Sequence, residues 1–313
     1  MNPFFSVVIP LYNKALEISY TLSSVLAQTY TDFEVIVIND GSTDDSLSLV
    51  ETFNDKRIKV YTTENKGVSH ARNFGIKNSS SQVIAFLDGD DLWKPHHLED
   101  LKALFECYPN CGMYCKAYEK IYFSELVVKA IYNDIEDDFE GIVEDYFKNS
   151  LIDSIAWTSA TAIPKTIFNT YGYFDESLKS GQDTDLWIRI ALKETVAFSN
   201  VISATRLFSA SNNHLSQSSH IKQRIQIIER YQHLELKNKS LKTYLDCNRY
   251  SMAVERKLHG DLTSYQNLLN AIDLASLNSK QKFLLKLPTF WIKRFKGLQG
   301  FLIKKKIYLS AFR

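Results

Sequence analysis

Short apolar runs alternate with amphipathic stretches over residues 5–115, the pattern of a mostly parallel sheet with helices on its faces. Ser6-Val-Val-Ile9 predicts a first strand, Phe33–Ile38 a second, Ile58–Tyr61 a third and Val83–Leu87 a fourth. Between them apolar residues return at helical spacing: Ile18, Leu22, Val25 and Leu26 after the first strand, Leu47, Val50 and Phe53 after the second. A short helix over Ser69–Lys77 leads into the fourth strand. Pro95, of a type favoured at helix starts, opens another with Leu98, Leu101, Leu104 and Phe105 inward. Further on, Met113–Tyr122 reads as strand, 133–148 as an acidic excursion, and Thr184–Lys193 as a helix within an otherwise mixed stretch. From about His220 the chain reads as helical. The expected organisation is an α/β domain over 1–215, with halves at about 1–110 and 111–215, and a helical C-terminal region over 216–313.

The fourth strand runs directly into Asp88-Gly-Asp-Asp91, so Asp88, Asp90 and Asp91 are expected to emerge together at its carboxyl end. In an open α/β sheet that edge is where ligands bind. Carboxylates crowded there repel one another unless a cation joins them, and oxygen-only ligands suit Mg²⁺ or Mn²⁺, ions that share their coordination with substrate phosphates. The plain alternative is a solvated acidic turn capping the next helix. Three more segments reach the same edge: Pro10-Leu-Tyr-Asn13, Asn39-Asp-Gly-Ser42 and Asn65-Lys-Gly-Val-Ser-His-Ala-Arg-Asn73. A nucleotide suits them. Asp40 can accept the N–H of a uracil base, Tyr12 offers a ring for stacking, Arg72 offers a planar fork, and Gly67 lets backbone approach a ligand. Taken singly, Asp40 reads equally as a turn and helix cap, Tyr12 as an edge aromatic and Arg72 as a surface residue. In this order and spacing they favour a site.

A formal charge of +1 argues against nucleic-acid binding through bulk charge, and 45% hydrophobic residues suffice for a sizeable core. Charge is uneven, however: after Asp273 there is no acidic residue but ten lysines and arginines. Trp291, Phe295 and Phe301 lie among them, a mixture suited to the membrane interface, where each cation near an anionic leaflet contributes about 1 kcal/mol. The alternative is a helix packed back on the protein, and Gly297 and Gly300 are expected to weaken a single continuous helix. No apolar run of membrane-spanning length appears, and the N-terminus lacks signal-peptide features. The expectation is a cytoplasmic protein, peripheral at the inner face of the plasma membrane, with its four cysteines reduced. Cys107, Cys111 and Cys115 are spaced four apart, but Pro109 and Gly112 break any helix between them and no fourth zinc ligand is near.

Four segments, Ser6-Val-Val-Ile-Pro-Leu-Tyr-Asn-Lys14, Val37-Ile-Asn-Asp-Gly-Ser-Thr-Asp44, Asn65–Asn73 and Phe86-Leu-Asp-Gly-Asp-Asp-Leu-Trp93, closely resemble the family 2 glycosyltransferases. The resemblance covers roughly residues 4–110, and less specifically 157–192. It implies the GT-A fold and an inverting transfer from a nucleotide-diphosphate sugar, most often a UDP-sugar, with Mn²⁺ or Mg²⁺. On that resemblance Pro10, Tyr12, Asn13, Asp40, Ser42, Gly67, Arg72, Asp88, Gly89 and Asp90 surround the donor. Asp88 and Asp90, with His214 as a further candidate, hold the metal. Gly181-Gln-Asp-Thr-Asp-Leu-Trp-Ile-Arg189 resembles the segment carrying the family's general base. Gln182 stands where relatives commonly have glutamate, and Asp183 matches the base, with Asp185 second in line. An inverting displacement needs such a carboxylate to take the acceptor hydroxyl's proton. Helix-dipole stabilisation is the simpler account of both aspartates. Trp157 and Trp187 are candidates for sugar stacking, though such residues are more often core.

The resemblance to bacterial surface-polysaccharide enzymes implies a glycan acceptor linked to a lipid such as undecaprenyl diphosphate. A homodimer through the helical region is open. A sugar-nucleotide pyrophosphorylase is the alternative enzyme, disfavoured because Pro10-Leu-Tyr-Asn13 replaces a glycine-rich, basic loop. A non-catalytic nucleotide-sugar-binding relative is the other alternative, disfavoured by the intact Asp88, Asp90 and Asp183.

Overall fold

The computed structural model describes residues 2–122, 124–208 and 220–312. In chain order the elements are β1 (Phe5–Leu11), α1 (Ile18–Leu26), β2 (Phe33–Asp40), α2 (Ser46–Glu51), β3 (Ile58–Thr63), α3 (Val68–Asn78), β4 (Val83–Phe86), β5 (Asp91–Trp93), α4 (His97–Cys107) and β6 (Met113–Tyr122). There follow β7 (Val127–Lys129), β8 (Glu140–Val143), α5 (Tyr146–Asn149), β9 (Thr161–Pro164), α6 (Lys165–Tyr171), α7 (Gln182–Ala191) and β10 (Val196–Phe208). Five helices complete the chain: α8 (Ile221–Tyr231), α9 (Lys239–Leu258), α10 (Leu262–Ala271), α11 (Ser279–Lys286) and α12 (Thr289–Lys304).

The chain divides into two compact units. The first comprises Met1–Lys120, Ile135–Glu144 and Ile155–Leu207, and is organised by a sheet of order β3-β2-β1-β4-β9-β6-β10-β5. β1 pairs in parallel with β2 and β4, and β2 with β3, so all four strands end on one edge. β1, β2 and β4 are buried on both faces, which is why they read as unbroken apolar runs. β3 is exposed at intervals, as befits a sheet margin. The remaining pairings are antiparallel: β4 and β6 with β9, and β10 with β5 and β8. The acidic stretch expected to be an excursion therefore includes a strand, β8, held by β10. α3 lies hard against β1 because Gly75 is small: a Cβ there would fall 2.5 Å from Val8 Cγ1. That contact fixes the height of Arg72 and Asn73 on the same helix.

The second unit comprises Ile121–Asp134, Asp145–Ser154 and Phe208–Arg313. Its central helix is α9, with Leu241, Leu245, Met252 and Ala253 buried. Arg249 on this helix is buried between Asp246, at 2.8 Å, and Glu235. Gly297 and Gly300, expected to weaken the tail helix, both lie inside α12. An exposed glycine lowers helix stability by only about 1 kcal/mol, which flanking good helix formers offset. Among the described residues no helix is long and apolar enough to cross a membrane.

Candidate active site

The loops that follow β1 to β4 leave the common edge of the sheet, and side chains join them in a closed ring. Asn13, at a φ of 51° that asparagine tolerates, accepts the Thr43 N–H at 2.8 Å. Its own N–H donates to Ser42 Oγ at 3.2 Å, so the first loop is locked to the second. Asp40, at the end of β2, is buried and accepts the N–H groups of Lys66 at 2.9 Å and Gly67 at 2.8 Å, with Thr63 Oγ1 at 3.3 Å. The second loop is thereby locked to the third. A carboxylate offers about four acceptor positions, and three are taken within the protein. The base-reading expected of Asp40 is left with the remaining one.

Arg72, on α3, closes the ring toward the fourth loop. It is buried, its Nη2 donates to Asp88 Oδ1 at 2.5 Å, and its guanidinium lies 5.3 Å from the centroid of Phe174. Its Nε and Nη1 are buried with no hydrogen-bond partner in the protein. Groups of this kind cost free energy unless a ligand or water meets them. From the fourth loop back to the first, Lys14 Nζ reaches Asp90 Oδ2 at 2.5 Å. Gly89, between the two aspartates, passes so close to β1 that a Cβ would stand 3.2 Å from the Pro10 carbonyl oxygen. Gly67 has φ 93°, and nothing lies within 4 Å of where its Cβ would be, leaving the third loop open on that side. Tyr12 is 46% exposed at the head of the ring, its face available for stacking.

Asp91 does not emerge with Asp88 and Asp90. It starts β5 and turns inward, where Ser159 Oγ donates to it at 2.6 Å and the Leu207 N–H at 3.3 Å. Burial, reinforced by the charges of Asp90 and Asp88, pushes its carboxyl well above the usual aspartate range. The same Ser159 hydroxyl accepts the Asp88 N–H at 3.1 Å, so one residue pins both ends of the acidic turn. Neither Ser159 nor the Lys14–Asp90 pair was visible in the sequence, because no local pattern links positions so far apart.

Asp183 stands in the first turn of α7, half-buried, and accepts the Thr184 N–H at 2.7 Å. Asp185, second in line as a base, is instead buried and paired with Arg189 at 3.0 Å. Arg189 also donates to the carbonyl oxygens of Tyr171 and Tyr173, fastening the loop before α7. That loop is held to α3 by Asn73, which exchanges hydrogen bonds with the Phe174 backbone at 2.9 and 3.0 Å. Gln182 is buried and its Oε1 has no partner in the protein. Trp187 packs edge-on to Phe174 in the core, whereas Trp157 is half-buried, 4.5 Å from the Tyr118 ring. His214 lies outside the described residues. Among the described residues no group of three or more potential ligands is arranged for a metal. Two carboxylates, Asp88 and Asp90, are what a hard cation needs when phosphate oxygens supply the rest.

Residues 6–150 match the family model described as glycosyl transferase family 2. The chain carries a family 2 glycosyltransferase domain. An uncharacterized glycosyltransferase of Rickettsia felis is 36% identical over 198 residues, covering 61% of this chain and 31% of that protein. The Escherichia coli UDP-Glc:alpha-D-GlcNAc-diphosphoundecaprenol beta-1,3-glucosyltransferase WfgD is 45% identical over 95 residues, 30% of this chain and 38% of that protein. This chain thus spans well under two thirds of either relative. The crystal structure of S. aureus TarS in complex with UDP-GlcNAc matches with a TM-score of 0.68 at 18% identity, over 98% of this chain and 93% of that one. At that identity the match speaks for the fold, which is of the GT-A type expected of a family 2 glycosyltransferase.

Proposed function

We propose that this chain is an inverting glycosyltransferase that moves a sugar from a UDP-sugar to a hydroxyl of a glycan acceptor in cell-surface polysaccharide assembly. The observation that carries the reading is Arg72, buried where the third loop meets the fourth, with two guanidinium nitrogens, Nε and Nη1, that nothing in the protein meets. A nucleotide diphosphate is the ligand such a fork fits. Tyr12 stacks on the base, Asp40 accepts its N–H at the one position left, and Gly67 leaves room for the ribose and diphosphate. Asp88 and Asp90 hold Mn²⁺ or Mg²⁺, which when bound neutralises charge growing on the departing diphosphate. Asp183, in the first turn of α7, takes the proton from the acceptor hydroxyl. TarS was crystallised with UDP-GlcNAc and UDP, which supports a uridine donor.

The name of WfgD supports an acceptor linked to undecaprenyl diphosphate. An anionic bilayer is the matching surface for α12, where Phe290, Trp291, Phe295, Leu298 and Phe301 are exposed among cations with no acidic residue after Asp273. On this reading the enzyme works at the inner face of the plasma membrane. The test is transfer from a panel of UDP-sugars to a lipid-linked acceptor. Asp183→Asn is expected to lower turnover by about 10²–10⁴-fold while binding UDP as the parent does. Full turnover in that variant removes Asp183 as the base. Vesicles rich in phosphatidylglycerol should retain the protein, and equal retention by phosphatidylcholine vesicles would contradict the role given to the basic helix.

A further inference from the structure

We propose that Lys14 is a tethered counter-charge that makes metal binding at Asp88 and Asp90 conditional on the nucleotide diphosphate. The inference rests on the donor site proposed above and deepens it. Lys14 Nζ is 2.5 Å from Asp90 Oδ2, and the two side chains are only 17% and 16% exposed. The pair is therefore largely withdrawn from water rather than a surface contact that salt would screen.

The backbone beneath it is fixed. The Lys14 N–H donates to Ser46 Oγ at 2.7 Å, and its carbonyl accepts the N–H groups of Glu17 at 3.1 Å and Ile18 at 2.9 Å. Only the four-carbon stem can swing, which suits a lysine better than any other cation. The electrostatics require a resident positive charge. Asp88, Asp90 and Asp91 fall within four successive residues, so Asp88 and Asp90 carry like charges at close quarters. Lys14 supplies a positive charge at Asp90 and Arg72 one at Asp88.

A divalent ion arriving alone must share Asp90 with an ammonium group or evict it from a half-dehydrated contact, and both are unfavourable. A diphosphate changes the balance by bringing negative oxygens to which Lys14 can turn, releasing Asp90 to the ion. Metal and nucleotide then reinforce each other, and by linkage the effect is reciprocal. Lys14 acts as a positioning residue for charge.

The test is Mn²⁺ binding to the full chain, counted as free ion by electron paramagnetic resonance, with and without saturating UDP. For the parent protein Mn²⁺ should bind at least about tenfold more tightly with UDP than without, within the usual range of coupling. Lys14→Met and Lys14→Gln should bind Mn²⁺ alone at least about fivefold more tightly than the parent, with the coupling correspondingly reduced. Lys14→Arg, which keeps the charge, should bind Mn²⁺ alone no more tightly than the parent. Unchanged or weaker Mn²⁺ binding in both neutral variants, with UDP still bound, overturns the Lys14 inference alone. Absence of UDP binding to the parent under every metal condition overturns the donor-site reading itself.

Discussion

Replacing Arg72 by methionine separates a ligand-binding arginine from a structural one. The substitution removes one charge-assisted hydrogen bond to Asp88, about 1.5–3 kcal/mol, and the contact over Phe174, about 1 kcal/mol. It also removes two buried N–H groups without partners, each costing about 1–3 kcal/mol. The net loss is then at most about 2 kcal/mol, and Asp88 is exposed enough to be hydrated when its partner goes. At about 2–4 °C per kcal/mol for a domain of this size, the melting temperature should fall by no more than about 8 °C. UDP affinity, by contrast, should fall by about 10²-fold, the loss of two charge-assisted hydrogen bonds. The assays are calorimetric titration with UDP and a melting curve on the same sample. A drop of about 10 °C or more with UDP affinity intact would mean that Arg72 is held for the fold, and the argument from its orphaned donors would fail.

Two further outcomes follow from buried carboxylates. Glu34 is buried, which opposes its charge, yet Lys59 at 2.6 Å, Ser6 at 2.5 Å and the Ser80 N–H at 2.7 Å hold its carboxyl below the usual range. A depressed carboxyl stabilises the fold above its unfolded-state pKa and loses that contribution as pH falls through the folded one. Glu34→Gln should therefore cost about 2–3 kcal/mol at pH 7 in denaturant unfolding, and the gap should narrow in acid below about pH 4. An equal gap at both pH values would refute this. Asp91 is the opposite case: its raised carboxyl contributes less as pH rises past the unfolded value. Asp91→Asn should be tolerated better at pH 8 than at pH 4 in the same measurement, and should leave UDP binding intact, while Asp90→Asn abolishes metal-dependent binding.

The N-terminal half of the sheet was legible because parallel strands buried on both faces leave unbroken apolar runs, as in β1, β2 and β4, and because Gly67 and Gly89 mark turns after β3 and β4. The helix that Asp183 opens was legible from the pattern over Thr184–Lys193, and forms as α7 over Gln182–Ala191. What stayed hidden depends on partners far along the chain. Strands β5 and β9, of three and four residues, carry no periodic signal, and both exist through antiparallel pairing with β10, β4 and β6. Asp91 turns inward only because Ser159 and the Leu207 N–H meet it there. Asp185 cannot be told from Asp183 by spacing, and what separates them is Arg189, one helical turn further on.

Calorimetric titration with UDP and GDP, each in Mn²⁺ and in EDTA, tests most directly whether the four-loop ring is a donor site. Binding of UDP in Mn²⁺, lost in EDTA and absent for GDP, is the expected result. Binding of neither nucleotide under any condition would contradict the account and leave Asp88–Asp91 an ordinary acidic turn.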